Sequence, residues 1–394
     1  MLATITTKTI ADRWRGVVIG AFTVALFLVG GMAAYKSVDL SLYTNLPEGF
    51  RELFGIGDSA DAAGLAYGAI YGFYGALILA GLALAMGSAS IAGEERDGTI
   101  GVLLGNPKSR SEVLASKAIS TFVLTAVAAI VLWVGALIAP VLLDVDVAGR
   151  NLGAQAFHLF ANALFYGYLA MAIGAWTGKP SLASGVTSGI MALSFFAVGL
   201  LPLVDSLADV ARIVPWYYLD NGQPWVNGIQ WGGIGVLLGG SALFAGISFV
   251  GVNGRDLRMR SVGSSIVDRL REDPRLGKIV ERISGSVSVS HIWTKTAADH
   301  QALTAISAFA MFAMMGVMMG PMYTAIDEQL ATFGQDLPEA LLALVGSADM
   351  STPEGWYQVE TFSLMAPILV MAVTITIGAK ALAGEEAQRT MGLL

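Results

Sequence analysis

The sequence predicts an all-α polytopic membrane protein, a parallel tandem repeat of a six-helix unit with eight spans present and the second repeat incomplete. Three observations carry that expectation. Of 394 residues, 55% are hydrophobic and 13% charged, and the mean hydropathy of +0.65 lies outside the usual range of soluble globular chains. A hydrocarbon core of about 30 Å needs roughly 20 apolar residues per helix, and such runs fall near 17–35, 66–92, 112–142, 154–177, 182–204, 229–252, 302–323 and 361–383. Finally, AGEERDGTIGVL at 92–103 returns as AGEEAQRTMGLL at 383–394, each copy directly after a long apolar run.

Taken in order, the first run follows Asp12, Arg13 and Arg15, and no small-residue cleavage site ends it. It reads as a retained helix rather than a secretory signal. The loop after it carries Leu46, Phe50, Leu53 and Phe54 at helical spacing, a short amphipathic helix repeated position for position by Leu337, Leu341, Leu344 and Val345. The second run ends at Glu94 and Glu95, and a charged residue at a bilayer centre costs about 2.5–3.5 kcal/mol on insertion scales, so the acids mark a membrane edge.

Beyond them Ile100, Leu103 and Leu104 have i, i+3, i+4 spacing, and Gly105, Asn106 and Pro107 form a stop. A short surface helix is expected, with the acids in its N-terminal turn where the macrodipole favours them. Ser109 and Glu112 then form a capping box that launches the third span at Val113. That span is longer than a bilayer requires, so it begins in the interface.

Charge fixes the orientation. With the N-terminus cytosolic, only Lys36, Arg51, Arg150 and Arg212 of the 23 basic residues fall outside, while the outer segment 323–360 has acids and no base. The positive-inside rule selects this arrangement. Six spans separate the two repeat starts, and an even number returns the chain to the same side, so the halves are parallel repeats with a substrate path between them. Residues 1–254 form the first half, 255–290 a basic amphipathic connector that reads either as resting on the inner leaflet or as a solvated charge run, and 291–394 the start of the second half. Because Leu394 corresponds to Leu103, the second unit is expected to be cut short.

Several chemistries are excluded. The chain has no cysteine, so disulfides, thiolate metal sites and cysteine nucleophiles are absent, and its three histidines, His158, His291 and His300, show no ligand spacing. The glycine-rich stretch 232–240 lies inside an apolar span with no preceding strand, which points to close helix packing and not to phosphate binding. No Walker lysine motif is present, and no zincin or nucleophile-elbow motif.

The string AGEERDGTIGVLLGNPKSRSEVLASK at 92–117 resembles the cytosolic signature of ABC type-2 exporter permeases. There an acidic pair, a Gly-Thr and a leucine-leucine, proline, serine-arginine tail form the coupling helix that docks on the ATPase subunit. The resemblance implies that Glu94, Glu95, Arg96, Gly98, Thr99, Leu103, Leu104, Pro107, Ser109 and Arg110 meet that subunit, and that Glu385, Glu386, Arg389 and Thr390 do so in the second half. The second copy departs from the pattern at Ala387, Gln388 and Arg389 and lacks the tail. Residues 213–221 are also similar to the outer re-entrant region of the family. Two six-span halves in one chain look most like the polyketide-antibiotic exporter permeases.

The resemblance implies a permease of the bacterial plasma membrane that is not itself an enzyme. A separate ABC ATPase, acting as a dimer, would bind ATP and magnesium, with membrane lipid and a lipophilic or amphipathic compound as further partners and no nucleic acid. Tyr67, Tyr71 and Tyr74, with Trp356, Tyr357 and Phe362 in the second half, are candidates for the substrate path, against a plain interfacial aromatic belt. The alternative function is a non-transporting membrane scaffold or sensor on the same fold.

Overall fold

A chain crossing hydrocarbon must close its backbone hydrogen bonds within each segment, and in the computed structural model every regular element among the described residues is helical. The structure describes residues 4–36, 62–257 apart from 106–107, 148, 202–204 and 221, then 352–381 and isolated positions between 304 and 324. The chain divides into two compact units, Met1–Ser261 and Val262–Leu394.

In the first unit, α1 spans Ile5–Lys36 and begins 12 residues before the predicted 17–35 boundary. Thr4 and Thr7 cap its start reciprocally: each accepts the other's backbone N–H at 3.2 Å, so the polar lead-in continues the helix. Next, α2 (Ala62–Ala66), a π-helical segment (Tyr67–Gly75) and α3 (Ala76–Ser88) follow one another directly. Two one-turn helices, α4 (Ala92–Arg96) and α5 (Ile100–Leu104), lead to α6 (Arg110–Leu143), α7 (Leu152–Thr177) and α8 (Pro180–Leu200). A 3-10 segment (Asp205–Ile213), α9 (Tyr217–Asp220) and α10 (Pro224–Asn227) precede the last long helix, α11 (Trp231–Gly254). Among the described residues five stretches are long and apolar enough to cross a membrane: Ile5–Ala33, Ala63–Ser88, Arg110–Leu143, Leu152–Thr177 and Trp231–Gly254. The predicted fifth span, 182–204, is occupied by α8.

Side-chain bonds set the directions. Ser120 Oγ donates to Thr6 O, and Lys36 Nζ donates to Leu143 O at the other end, so α1 and α6 run parallel. Tyr168 of α7 reaches Ala118 O of α6, and Arg255 just past α11 reaches Ala175 O, so the N-terminus of α6 and the C-termini of α7 and α11 share one end. That end also carries α4 and α5 and forms the motif edge of the bundle. Basic residues gather there: Lys8, Arg13, Arg15, Arg96, Lys108, Arg110, Lys117, Lys179 and Arg255 belong to it. Among the described residues of the first unit only Lys36, Arg150 and Arg212 lie toward the opposite end.

Helix α7 is the central pillar, with 78% of its apolar window buried against 33% for α1 and α6. Small residues make this possible. At the α3–α7 crossing Gly87 lies against Gly167 O, and a Cβ on Gly167 would stand 3.0 Å from that of Ala83. Of the glycines in α11, Gly240 packs under the Phe165 ring, where a Cβ would come within 2.5 Å of it, and Gly233 meets Tyr218 O, while Gly232, Gly235 and Gly239 face open space. The packing reading of that stretch therefore holds at two of its glycines.

In the second unit α12 (Pro353–Trp356), a second π-helical segment (Tyr357–Met365) and α13 (Ala366–Ala381) are described. Both π segments are nine residues long, and each closes on an i to i+5 bond, Ala76 N–H to Tyr71 O and Ala366 N–H to Thr361 O. The predicted outer helices 46–54 and 337–345, most of the run 302–323 and the connector beyond Leu257 lie outside the described residues.

Candidate functional site

The motif between the second and third predicted spans is two one-turn helices rather than one. Gly98 sits at φ 73°, Gly98 N–H bonds Glu95 O at 3.2 Å and Thr99 N–H bonds Glu94 O at 2.9 Å. This is a Schellman ending, for which glycine is the residue of choice because it has no Cβ to clash in the left-handed region. The expected placement of the acids in the first turn of the apolar helix is thereby corrected: Glu94 and Glu95 belong to α4, and Thr99 precedes α5. The exit is as expected. Ser109 Oγ accepts from Glu112 N–H at 3.1 Å, and Glu112 Oε2 accepts from Ser109 N–H at 2.8 Å.

The two acids turn inward and do different things. Glu94 Oε1 pairs with Lys117 Nζ of α6 at 2.6 Å, and its Oε2 accepts a short hydrogen bond from Thr99 Oγ1. Burial pushes the Glu94 carboxyl up, yet the hydrogen bonds from Lys117 and Thr99 and the Lys117 charge outweigh it, and the group titrates below the usual carboxylate range. Glu95 is 1% exposed and pairs through Oε2 with Arg255 Nη2 at 2.8 Å. Arg255 also donates through Nε to Ala175 O, and its own carbonyl accepts from Arg110 Nη1 at 2.7 Å. Gly178, at φ 65°, leaves room for the pair, since a Cβ there would stand 2.5 Å from Glu95 Oε2.

Between these inward anchors an edge is left exposed. Arg96, Asp97, Gly98 and Thr99 are exposed, and Val102 presents 72% of its surface, whereas Ile100 is buried and Leu103 and Leu104 are half-buried against the core. Ser109 is exposed and Arg110 half-buried. Of the residues expected to meet a partner, Glu95 thus has no accessible side chain and Arg110 is turned to the Arg255 carbonyl; Arg96, Gly98, Thr99 and Ser109 remain on the surface. Sequence reasoning missed Asp97, Val102, Lys117 and Arg255. A base at the first turn beyond a span was the one signal for Arg255, and nothing local pointed to its partner 160 positions earlier. Pro107, Glu385, Glu386, Arg389 and Thr390 lie outside the described residues.

The aromatic candidates separate as well. Tyr67 and Tyr71, each 2% exposed, donate to Ala136 O and Leu132 O of α6, both at 2.7 Å, which is a pair of interhelical ties four residues apart on each partner. A phenol buried in an apolar bundle must find an acceptor, and a helix carbonyl has a lone pair to spare. Tyr74 is exposed and packs edge-on against Phe27 and Phe73. In the second unit Trp356 is buried, Tyr357 donates to Met315 O at 3.1 Å and Phe362 is exposed.

The expected re-entrant stretch 213–221 is described as far as Asp220 and carries α9, at the end opposite the motif. His158, fully buried, takes Gln230 N–H on Nε2 at 3.1 Å, so its Nδ1 carries the proton donated to Tyr218 O. This histidine is a neutral structural clasp. No group of acidic or histidine side chains able to hold a metal occurs among the described residues.

A family model described as ABC-2 family transporter protein matches residues 3–221, a segment running from α1 past α9 that contains the whole motif. No curated protein and no solved structure matches the chain.

Proposed function

The chain belongs to the ABC-2 family of transporter proteins, and from that membership we propose that it is the permease of an ATP-driven exporter whose separate ATPase subunit grips the exposed edge of α4 and α5. Membership makes it a multi-pass membrane permease of an ABC transporter and implies a partner ABC ATPase subunit. The finer reading is that Arg96, Asp97, Thr99 and Val102 are the gripped surface, while Glu94 and Glu95 are anchors that carry the force inward. The observation carrying it is the division of one short motif into an exposed edge and two inward-facing, part-buried ion pairs, to α6 and to the end of α11. A push on this edge moves at least two spans.

The motif edge is assigned to the cytosol, in keeping with its basic residues. The cargo is a lipophilic or amphipathic compound such as an antibiotic, drug or lipid. A second docking site at Glu385, Glu386, Arg389 and Thr390 is proposed from the repeat, which the matching π-helical segments support. The test is co-purification with the ATPase and nucleotide-dependent efflux of a lipophilic dye from vesicles. Replacing Arg96, Asp97 and Thr99 by Ala together should release the ATPase from a folded permease. A complex that survives this change intact sinks the docking surface, and nucleotide-independent behaviour throughout favours the scaffold reading.

A further inference from the structure

The central helix α7 carries a polar stripe whose hydrogen bonds are not made. Of the eight buried side-chain polar atoms without a partner among the described residues, four belong to Gln155, Asn162 and Tyr166 of α7 and a fifth to Thr187 of α8. Asn162 is the extreme case: fully buried near the middle of the apolar helix Leu152–Thr177, it has neither Oδ1 nor Nδ2 bonded. A polar group left unsatisfied at hydrocarbon depth is expensive, and in a membrane bundle such a group points to a pathway.

The stripe has a direction. At about 100° per residue, positions 155, 162 and 166 fall within about 40° of one another, and other faces of α7 are taken: Gly167 meets Ala83 of α3, Tyr168 reaches Ala118 O of α6 and Phe165 lies on Gly240 of α11. What faces the stripe is α8. A Cβ on Gly174 would stand 3.7 Å from that of Ala183, and Tyr166 lies beside Ser194, so the buried row Ala183, Thr187 and Ser194 is the α8 side of the seam. The Ser184 and Ser194 hydroxyls are spent inside α8, on Ser181 O at 3.1 Å and Ile190 O at 2.7 Å. By contrast, α6 and α11 are tied to α7 through the Tyr168 hydroxyl and the Trp176 indole, which donates to Ile247 O at 3.0 Å. Parting α8 from α7 therefore gives up apolar contact more than hydrogen bonds, and it frees five polar atoms to find partners.

We propose that the α7–α8 seam opens to receive the polar part of the cargo, an uncharged amphiphile bearing hydroxyl and carbonyl groups, with Asn162 as its principal hydrogen-bonding residue and Gln155, Tyr166 and Thr187 beside it. The inference rests on the transporter reading and narrows its cargo. Neither α7 nor α8 contains an Asp, Glu, Lys or Arg, so an ion entering the seam would keep its charge uncompensated. An amide that both donates and accepts, a glutamine carbonyl, a phenol and a hydroxyl instead match neutral donors and acceptors.

The chain has no cysteine, so single cysteines report opening directly. In proteoliposomes of the full chain without any ATPase, a water-soluble thiosulfonate present on both sides should label Asn162→Cys. Leu164→Cys, two residues on and buried on the α6 face between Phe160 and Tyr168, should stay unlabelled. Octyl glucoside below its micellar concentration, uncharged and rich in hydroxyls, should slow the labelling severalfold, and octyltrimethylammonium, a cation on the same chain, should not. Asn162→Leu keeps the branching and removes the unbonded atoms, so it should raise the melting temperature of the detergent-solubilised chain by a few degrees. Absent labelling at 162, equal labelling at 162 and 164, or protection by neither amphiphile or by both equally would each overturn the assignment, and a lowered melting temperature in Asn162→Leu would show an amide with a structural partner. Thr187→Cys, across the seam, should repeat the pattern and decides the matter should Asn162→Cys fail to fold. No readout involves an ATPase, so failure here and failure of the docking surface are told apart.

Discussion

Glu95 Oε2 and Arg255 Nη2 stand 2.8 Å apart across 160 positions of chain, joining α4 to the last turn beyond α11. With Arg255 also holding Ala175 O, one guanidinium ties α4, α7 and α11 together. Removing one partner of a buried pair costs about 3–5 kcal/mol, and the 22% exposure of Arg255 places this case at or below the lower end of that range. Glu95→Ala and Arg255→Ala should each lower the melting temperature of the detergent-solubilised chain by several degrees. The double variant should lose less than the sum of the two, because the interaction is counted twice in the single variants. Simple additivity would show that the pair is not coupled.

The second anchor has a pH signature. The folded Glu94 carboxyl titrates below the ordinary value of about 4.3. Its contribution is therefore fully present above about pH 4.3 and disappears as pH falls through the lower, folded value. The stability difference between wild type and Glu94→Gln should stay flat from neutral pH down to about pH 5 and shrink below it. Melting curves across that window are the measurement, and a difference that grows on acidification contradicts the Lys117 and Thr99 bonding.

A variant at Gly98 tests the proposed docking apart from folding. Its φ of 73° costs an L residue roughly 1–2 kcal/mol, and the residue is exposed, so Gly98→Ala should leave the bundle assembled. The strain falls on the turn between α4 and α5. The expected outcome is a small drop in melting temperature with a disproportionate loss of ATPase stimulation by the permease; proportionate losses would mean that the turn is only structural.

How much of this is readable from the chain depends on where the information lies. The capped exit at Ser109 and Glu112 is local, encoded within four residues, and the structure has both of its hydrogen bonds. Alternating long helices and a basic motif edge are equally legible, since length and charge are read directly. The inward turn of Tyr67 and Tyr71 is not. A helix apolar on all sides offers no amphipathic stripe from which to tell its facing, and the π-helical segment alters the angular register of everything after it. The partnership of Glu95 and Arg255 is a tertiary fact without a sequence pattern.

The tyrosine ties predict a stability defect without a transport defect. Tyr71→Phe removes the donor to Leu132 O, and a buried hydrogen bond contributes about 0.5–1.5 kcal/mol net. Melting should fall by a few degrees, more in the double variant with Tyr67→Phe, while the efflux rate per folded molecule keeps its cargo preference. A changed cargo preference would restore these rings to the substrate path.

The tightest contact gives the harshest prediction. Gly87 of α3 lies so close to Gly167 O of α7 that a Cβ has no space, and Met171 N would stand 3.2 Å from it. The obstacle is backbone, which cannot rotate away as a side chain could, so relief requires moving α3 off the central pillar. Overpacking of this kind costs typically 1–3 kcal/mol, occasionally more. Gly87→Ala should therefore destabilise strongly, and Gly87→Val should abolish assembly. Gly81, whose Cβ would meet nothing within 4 Å on the same helix, should accept Ala with little effect. Detergent melting or protease resistance of the three variants checks the ranking. Equal tolerance at 81 and 87 would mean that α3 and α7 do not cross at these glycines, and the central position of α7 would have to be abandoned with the crossing.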